Sequence, residues 1–321
     1  MREEDGKSES LKGSIDPATL MKVRSLELRA RVVVEGFWKG LHRSPHHGFC
    51  VEFSEYRQYV QGDDPRFIDW KVMARSDRVY IKKFEDETNL RCFLLVDQSR
   101  SMSYAGGGSE ATHSKSEYAN TLAATLAYFL LAQGDAVGLV TFDEHLDHFV
   151  PARNRPGQLH RLLGQLELSR DQDGVGTDLI GPLKKVADLV RKRGLMMLIS
   201  DLLAPIEDLE LHLAYLAAAG HDLVVWQVLD RSELEFGFER ASHFCDVESG
   251  NDVFIDPNLA RESYLKKLQA HLDAVKGTCE RNGIDYRLVA TDEPLDQVLF
   301  DFVSMREKGA GKNVRRRNSA L

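Results

Sequence analysis

A chain of 321 residues exceeds the usual size of one domain and can bury an ample core, as one large or two smaller units. Its net charge of -8 speaks against a general nucleic-acid binder, which needs a basic face. Four scattered cysteines, Cys50, Cys92, Cys245 and Cys279, form no CxxC pair; this excludes a small disulfide-built domain, and they read as reduced thiols. No run approaches the eighteen or so apolar residues that a membrane span requires, and Met1-Arg2-Glu3-Glu4-Asp5 lacks the apolar core of a secretory signal. A cytoplasmic protein without a membrane span is expected.

Residues 1–15 are charged, with Gly and Ser, and are expected to be disordered. Asp16-Pro17 opens a helix, with Asp16 as cap and Pro17 in the first turn, and Leu20, Val23, Leu26 and Leu28 supply an amphipathic spacing. From Val32 to Asp86, aromatic and β-branched residues alternate with charges and are broken by Gly48, Gly62 and Pro65. That pattern reads as short strands and a tight turn. Within it, Glu52, Glu55, Asp63, Asp64 and Asp69 are matched by Arg57, Arg66 and Arg75, which favours a structural ion-pair network over a second carboxylate site. His42, His46 and His47 have too few partners for a closed zinc site and read as an exposed turn.

After Leu90 strands and helices alternate. Strands are expected at 91–97, 136–142, 195–200, 222–228 and 285–289, and helices at 114–133, 157–167, 178–192, 206–219 and 257–281. Single strands alternating with helices specify an α/β fold with a mainly parallel, Rossmann-like sheet covered on both faces. Leu146 to Val150 follows the second strand so closely that it reads as a short antiparallel strand. The terminal Arg315-Arg316-Arg317 reads as part of a solvated basic tail.

The chemistry concentrates where these strands end. Asp97-Gln98-Ser99-Arg100-Ser101 follows the apolar run Phe93-Leu94-Leu95-Val96, so a carboxylate and two hydroxyls, spaced every second residue, emerge at a strand terminus. Leu198-Ile199-Ser200-Asp201 repeats the design, and Gly176-Thr177-Asp178 lies between the two. Magnesium takes about six oxygens at roughly 2.1 Å, keeps several waters and uses one or two carboxylates. Asp97, Ser99, Ser101, Thr177 and Asp201 fit that requirement, and ligand hardness admits Mg2+, Mn2+ or Ca2+. Two aspartates neutralise the dication and leave it able to take a partner's Asp or Glu. Helix capping is the competing use of these side chains: Ser99 or Ser101 for the helix beginning near Ser114, Asp201 for the one near Pro205. Met102 is expected to pack under the first loop.

Taken together, Asp97-x-Ser99-x-Ser101, Thr177 and Asp201 resemble the metal-ion-dependent adhesion site of von Willebrand factor A domains, with all five positions filled. A second block resembles the signature of a bacterial family labelled only as a domain of unknown function, number 58. It comprises Gly48-Phe49-Cys50-Val51-Glu52-Phe53, Glu55-Tyr56-Arg57-Gln58-Tyr59, Gly62-Asp63-Asp64-Pro65-Arg66-Phe67-Ile68-Asp69-Trp70 and Ala74-Arg75. The sequence departs from that signature at Ser44-Pro45-His46-His47, where a more basic, glycine-containing turn is expected. The resemblance implies a von Willebrand factor A fold over residues 90–306 and a signature segment with a helix and short strands over 16–89; the flanks, 1–15 and a basic tail over 307–321, are expected to be disordered.

What the resemblance implies about function is a protein-interaction module that cooperates with a MoxR-type AAA+ ATPase in assembly or maturation of a protein complex. In that reading Asp97, Ser99 and Ser101 hold the cation, Thr177 adds a direct or water-bridged oxygen, and Asp201 acts through water. No catalytic residues are assigned. Asp143 and Asp178 lie near the sheet end, but no base constellation accompanies the metal-binding segments. A metal-dependent phosphohydrolase or nuclease is the alternative, and a structural subunit whose metal only locks a loop is the third reading.

Overall fold

The computed structural model describes residues 14–43, 56–58, 80–82, 90–106, 113–143, 146–169, 185–186, 190, 193–238, 242–245 and 252–318. They divide into two compact units, one formed by residues up to His42 and from Leu90 onward, the other lying between Arg43 and Asn89.

In the larger unit, Asp16 caps the short helix α1 (Pro17–Leu20), its carboxylate accepting from the Thr19 backbone N–H at 2.9 Å. Helix α2 (Leu26–Arg43) follows. Short strands were expected from Val32 onward, yet residues 32–43 continue this helix. The β-branched run Val32–Val34 gives the strand signal, but Leu26, Ala30, Val33, Val34 and Phe37 recur at helical spacing and are all buried. Burial of that stripe overrides local propensity.

Strand β3 (Arg91–Asp97) leads through a 3-10 turn (Arg100–Ser103) to helix α3 (Lys115–Ala132). Then come β4 (Ala136–Phe142), β5 (Leu146–Arg153), α4 (Gln158–Ser169), β6 (Leu195–Ser200), α5 (Ile206–Ala218), β7 (Asp222–Leu229) and α6 (Arg231–Glu235). A hairpin that sequence patterning did not foresee, β8 (Ser242–Cys245) with β9 (Asp252–Ile255), precedes α7 (Pro257–Arg281), β10 (Asp285–Ala290) and α8 (Leu295–Asn318). The helix expected over 178–192 lies largely outside the described residues, and the basic tail expected to be disordered from 307 continues α8 as far as Asn318.

Six strands form one sheet in the order β10-β7-β6-β3-β4-β5. All neighbours pair in parallel except β5, which runs antiparallel to β4 at the edge, as its short connection requires. Successive residues of a strand point to opposite faces. Leu94 and Val96 therefore join Met197, Ile199, Trp226 and Val228 in a core beneath α2, α3 and α8, where Phe37 meets Phe129 edge-on at 5.7 Å. Phe93 and Leu95 join Val140, Met196, Leu198 and Val225 in a second core under α5 and α7. The architecture is α/β and Rossmann-like, a mainly parallel sheet with helices on both faces.

Close approach fixes one glycine. A Cβ on Gly138 would lie 2.7 Å from the Val150 carbonyl oxygen, 2.8 Å from the Ala152 nitrogen and 2.8 Å from Phe93. Only glycine lets the edge strand seat here.

The smaller unit contributes an antiparallel pair, β1 (Tyr56–Gln58) and β2 (Tyr80–Lys82), with Arg57 opposite Ile81. Of the proposed acid–arginine network Arg57 is described, in β1, and of the proposed histidine turn His42 is described, where it belongs to helix α2 and not to a turn; their other residues lie outside the described residues, as does the proposed disorder of residues 1–13. Among the described residues no helix is long and apolar enough to cross a membrane.

Candidate metal centre

Strand order reverses direction at β3, which is flanked by β4 on one side and β6 on the other. In open parallel sheets ligands gather in the crevice at such a switch point, beyond the carboxyl ends of the strands. Asp97 ends β3, and Asp201 directly follows β6. The Ser200 hydroxyl donates to Asp97 Oδ2 at 2.5 Å, tying the two strand ends together. Asp97 Oδ1 accepts from the Ser99 backbone N–H at 2.8 Å, which folds the loop back over the carboxylate. The Ser99 and Ser101 hydroxyls lie 3.1 Å apart.

Asp97, Ser99 and Asp201 are buried, whereas Ser101 is partly exposed and stands nearest solvent among these four. Met102 is wholly buried beneath the loop. Capping does not account for these side chains. The Ser114 side chain caps α3 by accepting from the Glu117 N–H at 3.1 Å, and α5 has Pro205 at its N-cap position, with no side-chain cap. Thr177, the fifth proposed ligand, lies outside the described residues.

The Asp201 backbone is held from below. Gln227 donates its amide to the Asp201 carbonyl at 2.8 Å and accepts from the Tyr286 hydroxyl at 2.8 Å. The next residue, Leu202, adopts a left-handed φ of 52°, costly for a residue with a side chain. Its N–H donates to the Ser200 hydroxyl at 3.0 Å, and its carbonyl accepts from His271 Nε2 at 2.8 Å. Within the same turn the Leu203 N–H donates to Asp201 Oδ1 at 3.3 Å and so holds the carboxylate.

Sequence reasoning missed the principal partner of Asp201. Lys115, in the first turn of α3, is wholly buried, with Nζ 2.9 Å from Asp201 Oδ2 and 2.8 Å from Glu233 Oε1. Glu233 belongs to a capping box on α6: its Oε2 accepts from the Asp230 N–H at 2.8 Å, while Asp230 accepts from the Ser232 N–H at 2.9 Å. Thr291 donates to Asp230 Oδ2 at 2.9 Å, and Tyr104 pairs with Ser232 at 2.9 Å. The D-x-x-E pattern at Asp230–Glu233 is the signal that could have located this cluster. Nothing local marks Lys115.

The electrostatics set three carboxylates against one ammonium. Burial, then the proximity of Asp201, pushes the Asp97 carboxyl up to about 7, against the hydrogen bonds from Ser200 and Ser99. Burial also pulls the Lys115 ammonium down, but Asp201 and Glu233 outweigh it and leave its pKa raised. Glu233 is raised by burial despite Lys115. Among the described residues no three His, Cys, Asp or Glu side chains cluster to hold a metal. A centre here therefore rests on two carboxylates and hydroxyl oxygens, a hard set that suits magnesium better than zinc. Burial and the neighbouring Asp201 disfavour an ionised Asp97, a cost that a dication beside it relieves, and the donor set fits one.

The family described as "Protein of unknown function DUF58" matches residues 55–274. Uncharacterized proteins of Mycobacterium tuberculosis and Mycobacterium bovis are 29% identical over 304 residues, covering 94% of this chain and 94% of each relative. Among solved structures, the conserved hypothetical protein BatB from Bacteroides thetaiotaomicron is 16% identical, with a TM-score of 0.44 over 68% of this chain and 99% of that one. An aerotolerance-related membrane protein from Bacteroides fragilis is 15% identical, with a TM-score of 0.43 over 65% and 94%. The SpRpn10 VWA domain is 10% identical, with a TM-score of 0.36 over 65% and 93%.

Proposed function

The chain belongs to the family described as Protein of unknown function DUF58, and we propose that it is a protein-interaction module that docks an acidic side chain of its partner on a divalent cation at the β3–β6 crevice. What supports this reading is that Asp97 and Asp201 are buried carboxylates at the ends of adjacent strands, with Ser200 bonded to Asp97 and the Ser99–Ser101 loop folded back on it. Asp97, Ser99 and Ser101 would hold the ion, with Asp201 and Thr177 completing the donor set. When bound, Mg2+, Mn2+ or Ca2+ supplies a Lewis-acidic position for an incoming Asp or Glu oxygen.

A single exposed charge pair is worth little in water, so useful affinity has to combine the metal bond with surrounding contacts. Ser101, at the solvent edge of the crevice, and Leu203, exposed just after Asp201, are placed to supply some of them. The partner we infer is a MoxR-type AAA+ ATPase, with the pair acting in assembly or maturation of a further complex. Family membership and fold support an interaction module over an enzyme.

Capture of the ATPase by immobilised protein, in Mg2+ and in EDTA, tests the reading. Capture lost in EDTA and lost in Asp97→Ala supports metal-mediated docking. Capture unaffected by EDTA leaves the ion at most a loop-locking role, and metal-dependent turnover of a phosphoester by purified protein would favour the hydrolase.

A further inference from the structure

Lys115 is the least expected residue of the crevice. A lysine in the first turn of a helix opposes the helix dipole, and a wholly buried ammonium carries a large desolvation cost. Neither helix formation nor packing asks for it. What the ammonium does touch is specific: Asp201 Oδ2 at 2.9 Å and Glu233 Oε1 at 2.8 Å, from a stem with no exposed surface. The backbone fixes it equally well, since the Lys115 N–H donates to the Tyr104 carbonyl at 2.9 Å, just beyond the Ser99–Ser101 loop. Glu233 is locked in turn by its capping box on α6.

We propose that Lys115 is a built-in counter-cation that competes with the divalent ion for Asp201 and so sets the affinity of the metal centre. The inference rests on the metal-docking reading above. With Asp97, Asp201 and Glu233 ionised, the cluster carries three negative charges and Lys115 cancels one. A dication entering beside Asp97 meets a fixed positive charge already hydrogen-bonded to its second carboxylate. The repulsion lowers affinity, and Glu233 moderates it by sharing the ammonium. A weakly loaded centre suits a docking role: an arriving carboxylate adds the charge that Lys115 has cancelled, so ion and partner bind more tightly together than either does alone. Lys115 is thus a positioning residue for Asp201 and an affinity-determining residue for the ion.

The charge argument gives two substitutions opposite signs. Lys115→Met keeps length and volume but removes the competing cation, and should tighten ion binding about tenfold or more. Glu233→Gln removes one negative charge and leaves Lys115 to Asp201 alone, and should weaken ion binding several-fold. The full-length protein and both variants are titrated with MnCl2 and with MgCl2 by calorimetry, with circular dichroism confirming the fold. Tighter binding in Lys115→Met with weaker binding in Glu233→Gln supports the proposal. If the wild type takes up the ions but Lys115→Met binds no more tightly, Lys115 is only structural and the proposal is overturned, while the metal-docking reading stands. Should Lys115→Met fail to fold, Glu233→Gln decides: weaker binding supports the proposal, and unchanged or tighter binding overturns it. No ion uptake by the wild type overturns both.

Discussion

Ser200 donates its hydroxyl to Asp97 across 2.5 Å, joining the ends of two parallel strands 103 residues apart in the chain. The same oxygen accepts from the Leu202 N–H at 3.0 Å, so one side chain orients the Asp97 carboxylate and braces the left-handed turn after Asp201. Ser200→Ala leaves two buried groups short of a partner. The expected loss is about 1–3 kcal/mol of unfolding free energy, read by urea denaturation. A variant as stable as wild type would mean that the crevice relaxes around the gap.

Beside the edge strand, a Cβ added to Gly138 would stand 2.7 and 2.8 Å from backbone atoms of β5, well inside the contact distance of a real Cβ. Gly138→Ala must therefore push β5 from β4 or displace Phe93. A destabilisation of about 1–3 kcal/mol is expected from such overpacking. Urea denaturation checks this, and no loss would show that the edge strand yields without cost.

Much of this architecture was legible because its strands are short apolar runs with sharp polar ends. Phe93–Val96 and Leu198–Ile199 each precede the carboxylate that marks the strand terminus, so strand placement and candidate ligands came from one pattern. Helix α2 was obscured by Val32–Val34, whose strand propensity is outweighed by the stripe from Leu26 to Phe37. The β8–β9 hairpin went unseen although Glu248-Ser249-Gly250-Asn251 separates its strands with turn residues. Lys115 and Glu233 were out of reach for a different reason. Their meaning lies in contacts 86 and 118 residues apart, which no periodicity encodes.

Asp135 offers a test of pH dependence away from the crevice. Its Oδ1 accepts from the Leu90 N–H at 3.1 Å, and its Oδ2 lies 3.6 Å from Arg306. Burial raises its carboxyl above the ordinary value of 3.8, with Arg306 and the Leu90 N–H offsetting this only in part. For an acid with a raised folded pKa, the unfolded chain releases its proton first, so stability is lost as pH rises from about 3.8 through the raised value. Asp135→Asn keeps a carbonyl acceptor for Leu90 and cannot ionise. The variant should gain on wild type between acid and neutral pH, in unfolding free energies measured across that range. A difference that stays flat or falls would place the Asp135 pKa at or below its unfolded value.

Asp97→Asn separates a functional carboxylate from a structural one. In the wild type, Asp97 and Asp201 are buried near one another, and burial with mutual repulsion disfavours ionised Asp97. An asparagine of the same shape retains an acceptor for the Ser99 N–H and removes the repulsion, while its amide must donate to the Ser200 oxygen in place of accepting from it, so gain and loss offset and the metal-free variant should stay close to the metal-free wild type in stability. Ion binding has the opposite consequence. A ligand that binds only the folded state adds about 2.7 kcal/mol when present at roughly a hundred times its dissociation constant, and that increment requires a charged Asp97. Melting temperatures with saturating Mn2+ and with EDTA should therefore diverge for the wild type and coincide for Asp97→Asn. If the variant is instead destabilised in EDTA and still raised by Mn2+, Asp97 serves the fold and the ion binds elsewhere.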